Sequence, residues 1–161
     1  MQTIYSCLIP CCRDKLQNGW DRRLDRAAAS AVMIMESFAG LEHKYSYSMY
    51  GHSGAAVEVP LVLDGSPPRD REARLDVVNR IYEHVSYVKS GDNTLASALA
   101  AVQQVTEQPG DDYFVFLLSD AMLEQYNVSP QNLADALLID PRVNSYCIFI
   151  GEYIHNIHID E

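Results

Sequence analysis

Oxygen-bearing side chains gather in two short polar stretches of this 161-residue chain. Ser90, Asp92 and Thr94 lie in Ser-Gly-Asp-Asn-Thr, and Ser119 and Asp120 follow the apolar run Tyr113–Leu118. Hydroxyls and carboxylates without thiols or imidazoles form the ligand set of a hard cation, Mg²⁺ or Mn²⁺. The same residues have a plainer use: Asp92 and Thr94 are good helix N-caps, and Asp120 suits the cap of a turn or helix. Other reactive residues group less well. Cys11-Cys12 has no neighbouring base to activate a thiol. His52, flanked by Gly51 and Gly54, reads as a loop residue. His155-x-x-His158 with Glu152, Asp160 and Glu161 has the donors for a transition metal but reads as a polar tail.

For the two stretches to meet, strands must deliver both loops to one end of a sheet. Residues 3–9 read as a short buried strand stopped by Pro10. Asp21 is placed to N-cap a helix in which Leu24, Ala28, Ala31, Met35 and Phe38 recur every three to four residues, with Gly40 as its stop. Tyr45–Gly51 and Ala56–Val62 read as a hairpin. A second helix follows Pro67-Pro68, with Leu75, Val78, Ile81 or Tyr82, Val85 and Val88 as its buried face. Leu95, Leu99, Val102 and Val105 mark a third, ended by Pro109-Gly110. Tyr113–Leu118 is apolar throughout, as for a strand covered on both faces. A helix over 130–139 and a strand over 145–150 complete the pattern.

This alternation predicts an α/β fold in one domain, 1–161: a doubly wound, mostly parallel sheet with one antiparallel edge strand and helices on both faces. Ligands of such sheets gather beyond the carboxyl ends of the strands, where strand order reverses. The loops 9–14, 90–94 and 119–121 fall there.

Charge is unevenly spread. Residues 1–80 hold ten basic and ten acidic side chains, whereas 81–161 hold two and twelve, so the second half carries the whole net charge of −10. Such a half repels phosphate backbones and argues against nucleic acid. No apolar run is long enough to cross a bilayer. The first twenty residues have neither a secretory nor a transit pattern. Four sparse cysteines without a C-x-x-C pair suggest reduced thiols in an intracellular protein. The sequence contains no G-x-x-x-x-G-K-[ST] loop, no G-x-S-x-G elbow and no Cys–His pair at a known spacing, which argues against an enzyme.

Ser90-Gly91-Asp92-Asn93-Thr94-Leu95 and Leu118-Ser119-Asp120-Ala121 resemble the second and third metal-site motifs of von Willebrand factor A domains. The likeness extends through Asp21–Phe38, Gly51-His52-Ser53-Gly54 and Cys147-Ile148-Phe149-Ile150-Gly151, over about residues 18–151. Within the family it points to the domain of a large mitochondrial ring ATPase of the AAA type. The resemblance implies a Rossmann-like fold and a non-catalytic protein-interaction module with a Mg²⁺ or Mn²⁺ adhesion site. Thr94 would supply that site's second-loop hydroxyl and Asp120 its acidic ligand through a water, with Ser90, Asp92 and Ser119 around them. It also implies a mitochondrial location and, as partner, the ring ATPase or its substrate. The alternative role is a component of an ATP-hydrolysing machine whose catalytic domain lies outside this chain.

The family's first motif, Asp-x-Ser-x-Ser, is missing. Counting back from Asn18-Gly19-Trp20-Asp21, its positions fall on Ile9, Cys11 and Arg13, none of them a Mg²⁺ ligand. The expected site is therefore degenerate, and the Arg13 guanidinium is expected to take the cation's place beside Asp120. Residues 1–17 and 152–161 diverge from the family, as in a variant transcript or incomplete gene model. Without the family's final elements one sheet face stays open, which predicts a marginally stable chain prone to self-association or partner binding.

Overall fold

A computed structural model of the chain describes residues 3–10, 22–53, 56–87, 93–119, 123 and 127–149, with the backbone alone for 4–10 and 85–87. Its strands are β1 (Thr3–Pro10), β2 (Tyr45–Ser53), β3 (Ala56–Val62), β4 (Asp112–Ser119) and β5 (Val143–Phe149). Its helices are α1 (Arg23–Phe38), α2 (Arg71–Tyr87), α3 (Thr94–Glu107) and α4 (Pro130–Leu137). The strands form one sheet in the order β3-β2-β1-β4-β5. Only β3 runs antiparallel, as the hairpin partner of β2. The expected fold class is the one observed.

Two apolar layers hold the helices to the sheet. On one face α1 and α2 cover Tyr47, Met49, Leu61 and Val62; on the other α3 and α4 cover Val115, Leu117 and Val143. The sequence of α1 explains its docking: Leu24, Ala27, Ala28, Ala31 and Met35 make one buried stripe, and its alanines let the helix lie close. Its expected cap, Asp21, lies outside the described residues. Arg22 occupies the N-cap position in the left-handed region, with its Nε 2.8 Å from Asp25. Gly40, at φ 78°, takes the chain past the helix end as expected. α4 is capped by Ser129, whose hydroxyl accepts from the Asn132 amide.

Two expectations fail in instructive ways. In α2, Ile81 is buried and Val78 packs on the core as expected, while the side chain of Val85 and all of Val88 lie outside the described residues. Val77 is buried as well, however, Leu75 is 56 % exposed and Tyr82 stands at the seam with α1. There the Tyr82 hydroxyl donates to Asp25 at 2.7 Å and ties the two helices together, which fixes the rotation of α2. β4 is covered on both faces only at its carboxyl end, where Leu118 is buried in the α1 layer. Tyr113, Val115 and Leu117 are buried under α3 and α4, while Phe114 and Phe116 on the opposite face are only half-buried. On that face α1 and α2 sit over the β2–β3 side of the sheet, so apolar surface along β4 and β5 remains in contact with solvent.

Candidate functional site

Parallel pairing aligns the carboxyl ends of the strands. Pro10 of β1 stands opposite His52 of β2, and Ser119 of β4 stands opposite Phe149 of β5. The strand order reverses at β1, whose neighbours β2 and β4 lead away in opposite directions. That end of β1 is the crevice where such sheets bind ligands.

Polar side chains are buried along this rim. His52 and Ser53 are each 4 % exposed, and Thr94 and Ser119 each 3 %. Asn93 joins α3 to the rim, its amide donating to the Ser53 carbonyl at 2.7 Å. One turn on, the Ser97 hydroxyl donates to the Val57 carbonyl and fixes α3 against β3. The helix N-cap is therefore Asn93, and Thr94 is the first helical residue instead of the expected cap. Ser90, Asp92 and Asp120 lie outside the described residues, as do Cys11 and Arg13.

His52 is no loop residue, since it is the last residue but one of β2 and is buried there. Sequence reasoning also missed His84. Its place was legible, because Val77, Ile81 and His84 form an i, i+4, i+7 stripe on α2. The imidazole packs on Gly51, where an added Cβ would come within 3.1 Å of its Cδ2. Glycine at that position lets the ring approach the strand backbone. The ring donates to the His52 backbone carbonyl, and its Nε2 is buried without a hydrogen-bond partner. Burial lowers the His84 pKa below 6.5, outweighing the bond to His52 that would raise it.

That shift sets a sign. The unfolded chain takes up a proton at His84 at a higher pH than the folded chain, so this residue costs stability as the pH falls below about 6.5. Thermal melts should show a decline between pH 7 and pH 5 that is flattened in His84→Gln. The carboxylates held low by neighbours, Asp25 and Asp140, act only in more acidic solution. Equal pH slopes in the two proteins would refute the assignment.

Mg²⁺ takes several hard oxygen donors, carboxylates foremost. The described donors of this rim are the hydroxyls of Ser53, Thr94 and Ser119 and the His52 imidazole, and no group of three or more His, Cys, Asp or Glu suited to a metal occurs among the described residues. At the carboxyl end of β1, Ile9 faces Gly51 in register and brings no ligand to the position that the first motif would fill. A hard divalent ion that surrenders its waters reluctantly needs a carboxylate there. The described hydroxyls of Thr94 and Ser119 alone do not make up a Mg²⁺ site, and the loops that would complete one lie outside the described residues.

No family model matches the chain. Over 134 residues, 83 % of its length, it is 40 % identical to von Willebrand factor A domain-containing protein 8 of Mus musculus. That stretch is 7 % of the mouse protein. A solved von Willebrand factor type A structure from Catenulispora acidiphila superposes with a TM-score of 0.60 at 14 % identity, over 91 % of this chain and 32 % of the other. An aerotolerance-related membrane protein of Bacteroides fragilis gives 0.61 at 12 % identity, over 93 % and 68 %.

Proposed function

This chain is a von Willebrand factor A-type domain, and from that premise we propose that it is a non-catalytic protein-interaction module whose adhesion site has lost its metal. The observation that carries the reading is Ile9 at the carboxyl end of β1, beside Gly51 and two residues before Cys11. An intact site would join a partner's acidic side chain through the ion. Without the first motif, Thr94 and Asp120 are too few ligands, and contact depends on the shape and charge of the rim. A charge-assisted bond from Arg13 to Asp120 would hold the loops in the ion's stead.

The larger context rests on the family resemblance of the motifs over residues 18–151. The module would serve a AAA-type ring ATPase in mitochondria, presenting either the ring or its substrate, with ATP hydrolysed elsewhere. No nucleic acid is expected as partner, given the twelve acidic residues against two basic ones over 81–161.

Calorimetric titration with Mg²⁺ and with Mn²⁺ tests the central point. No heat beyond dilution is expected up to millimolar metal, whereas micromolar affinity would overturn the degenerate site. ATP turnover by the purified chain would overturn the non-catalytic reading.

A further inference from the structure

Between the carboxyl end of α3 and the β2–β3 hairpin lies a small pocket of about 80 Å³. Side chains alternate along β2, so Ser48 and Tyr50 fall on the same face and both line it. Gln104, Val105 and Glu107 reach it from the last turn of α3, and Asp64, just past the end of β3, closes one side. Its polar side chains are hydroxyls, carboxylates and amides, and none of the described ones is basic. The Ser46 hydroxyl donates to Asp64, and Gln104 Nε2 donates to Glu58 at 2.6 Å. A carboxylate offers an amide oxygen no proton, so the nitrogen of Gln104 must be the atom that faces Glu58. Its Oε1 is left buried with no hydrogen-bond partner.

The negative charge around this pocket is not neutralised. Among the described residues Glu58, Asp64 and Glu107 form no ion pair. The last turn of α3 carries no basic residue, so the partial negative charge of its final carbonyls adds to theirs. Tyr50 feels that field. Its pKa lies above 10, chiefly because it is buried, and the charges of Glu58 and Asp64 push the same way against a hydrogen bond with Ser48. The phenol is therefore a neutral hydroxyl at any working pH.

We propose that this pocket receives the ammonium group of a lysine side chain from a partner protein. The three N–H donors of an ammonium match the Asp64 carboxylate, the Tyr50 hydroxyl and the Gln104 amide oxygen, which gains the donor it lacks. The Tyr50 ring and Val105 give the methylene stem an apolar wall. Two other cations fit less well. A metal ion wants converging carboxylates, and no group of three occurs among the described residues. The guanidinium of arginine wants both oxygens of one carboxylate, and Ser46 already holds an oxygen of Asp64. α3 is 14 residues long, so its last turn stands about 15–20 Å from Thr94 on the rim. The inference shares with the proposed function only the premise that the chain binds protein, and the metal titration and the lysine test can fail separately.

The test uses the full ¹⁵N-labelled chain, titrated at constant ionic strength with Nα-acetyl-lysine methylamide and followed by the amide resonances. Saturable shifts are expected at Ser48, Tyr50, Asp64 and Gln104, with a dissociation constant of about 1–10 mM. The Nε-acetylated form of the same compound, which lacks the charge, should leave these resonances in place. The double variant Asp64→Asn with Glu107→Gln alters two exposed side chains and should weaken binding about tenfold or more. Glu72→Gln, an exposed acid on α2 across the sheet, should not change it. No saturable shift, equal shifts from the Nε-acetylated compound, or unchanged binding in the double variant would overturn the proposal. Equal shifts from potassium chloride at the same concentration would also overturn it, because the pocket would then respond to a cation of any kind.

Discussion

Leu117→Ala should lower stability by about 3–4 kcal/mol, as expected for truncating a fully buried leucine whose surroundings collapse only in part. Leu117 is 0 % exposed at the centre of β4, with β1 on one side and β5 on the other. It stands over α3 and α4 among Val115, Ala101, Val102, Leu133 and Leu137, so the vacated space is bounded by four elements. Domains are generally stable by only about 5–15 kcal/mol, which makes the loss a large share of the total. With a urea dependence of ~2 kcal/mol per molar, the unfolding midpoint should move down by about 1.5–2 M.

The same chemistry at Leu75 should give nearly nothing. Leu75→Ala removes a side chain that is 56 % exposed on α2, and its expected cost is within about 0.5 kcal/mol. This pair also tests the rotation of α2, because the sequence pattern alone counts Leu75 among the buried residues. A midpoint shift at Leu75 as large as that at Leu117 would mean that the helix faces the sheet by its Leu75 side.

The contrast shows where the sequence is legible. α1 has one apolar stripe, so Leu24, Ala28, Ala31 and Met35 were identifiable from spacing alone. α2 carries large apolar residues on more than one side, and periodicity cannot choose among them. The choice is made by a tertiary bond, from Tyr82 to Asp25. β4 misleads in a related way. Its continuous apolar run suggests cover on both faces, yet a run records which side chains are apolar and not which are covered. Phe114 and Phe116 remain half-buried because α1 reaches only the edge of that part of the sheet, packing against Phe116 from one side.

The rim was legible as topology more than as contacts. Alternating strands and helices put the loops after β1 and β4 at one end, whereas Asn93 reaching Ser53 depends on how α3 approaches β2. The burial of His52 was hidden by its glycine neighbours, which resemble a turn. Gly51 serves instead to admit the His84 ring.

Restoring the missing motif should produce the largest gain of function. The combined change Ile9→Asp, Cys11→Ser and Arg13→Ser is expected to create a site with a Mg²⁺ dissociation constant between about 1 μM and 1 mM, equivalent to roughly −8 to −4 kcal/mol, where the degenerate-site reading expects none in the unaltered chain. All three changes are required. A carboxylate from Ile9→Asp alone leaves the motif's two hydroxyls absent and a cationic side chain at its third position, while the two serines alone leave the ion without an anionic ligand from β1. Binding stabilises only the folded state, so Mg²⁺ at a hundred times its dissociation constant should add about 2.7 kcal/mol and raise the melting temperature by roughly 5–10 °C. Thr94→Ala in the same background should remove both the heat of binding and the thermal shift. A triple variant that melts cooperatively yet ignores Mg²⁺ would show that the end of β1 does not coincide with the family's first motif. The degenerate-site reading would then lose its foundation, because the identity of Ile9 would no longer bear on metal binding.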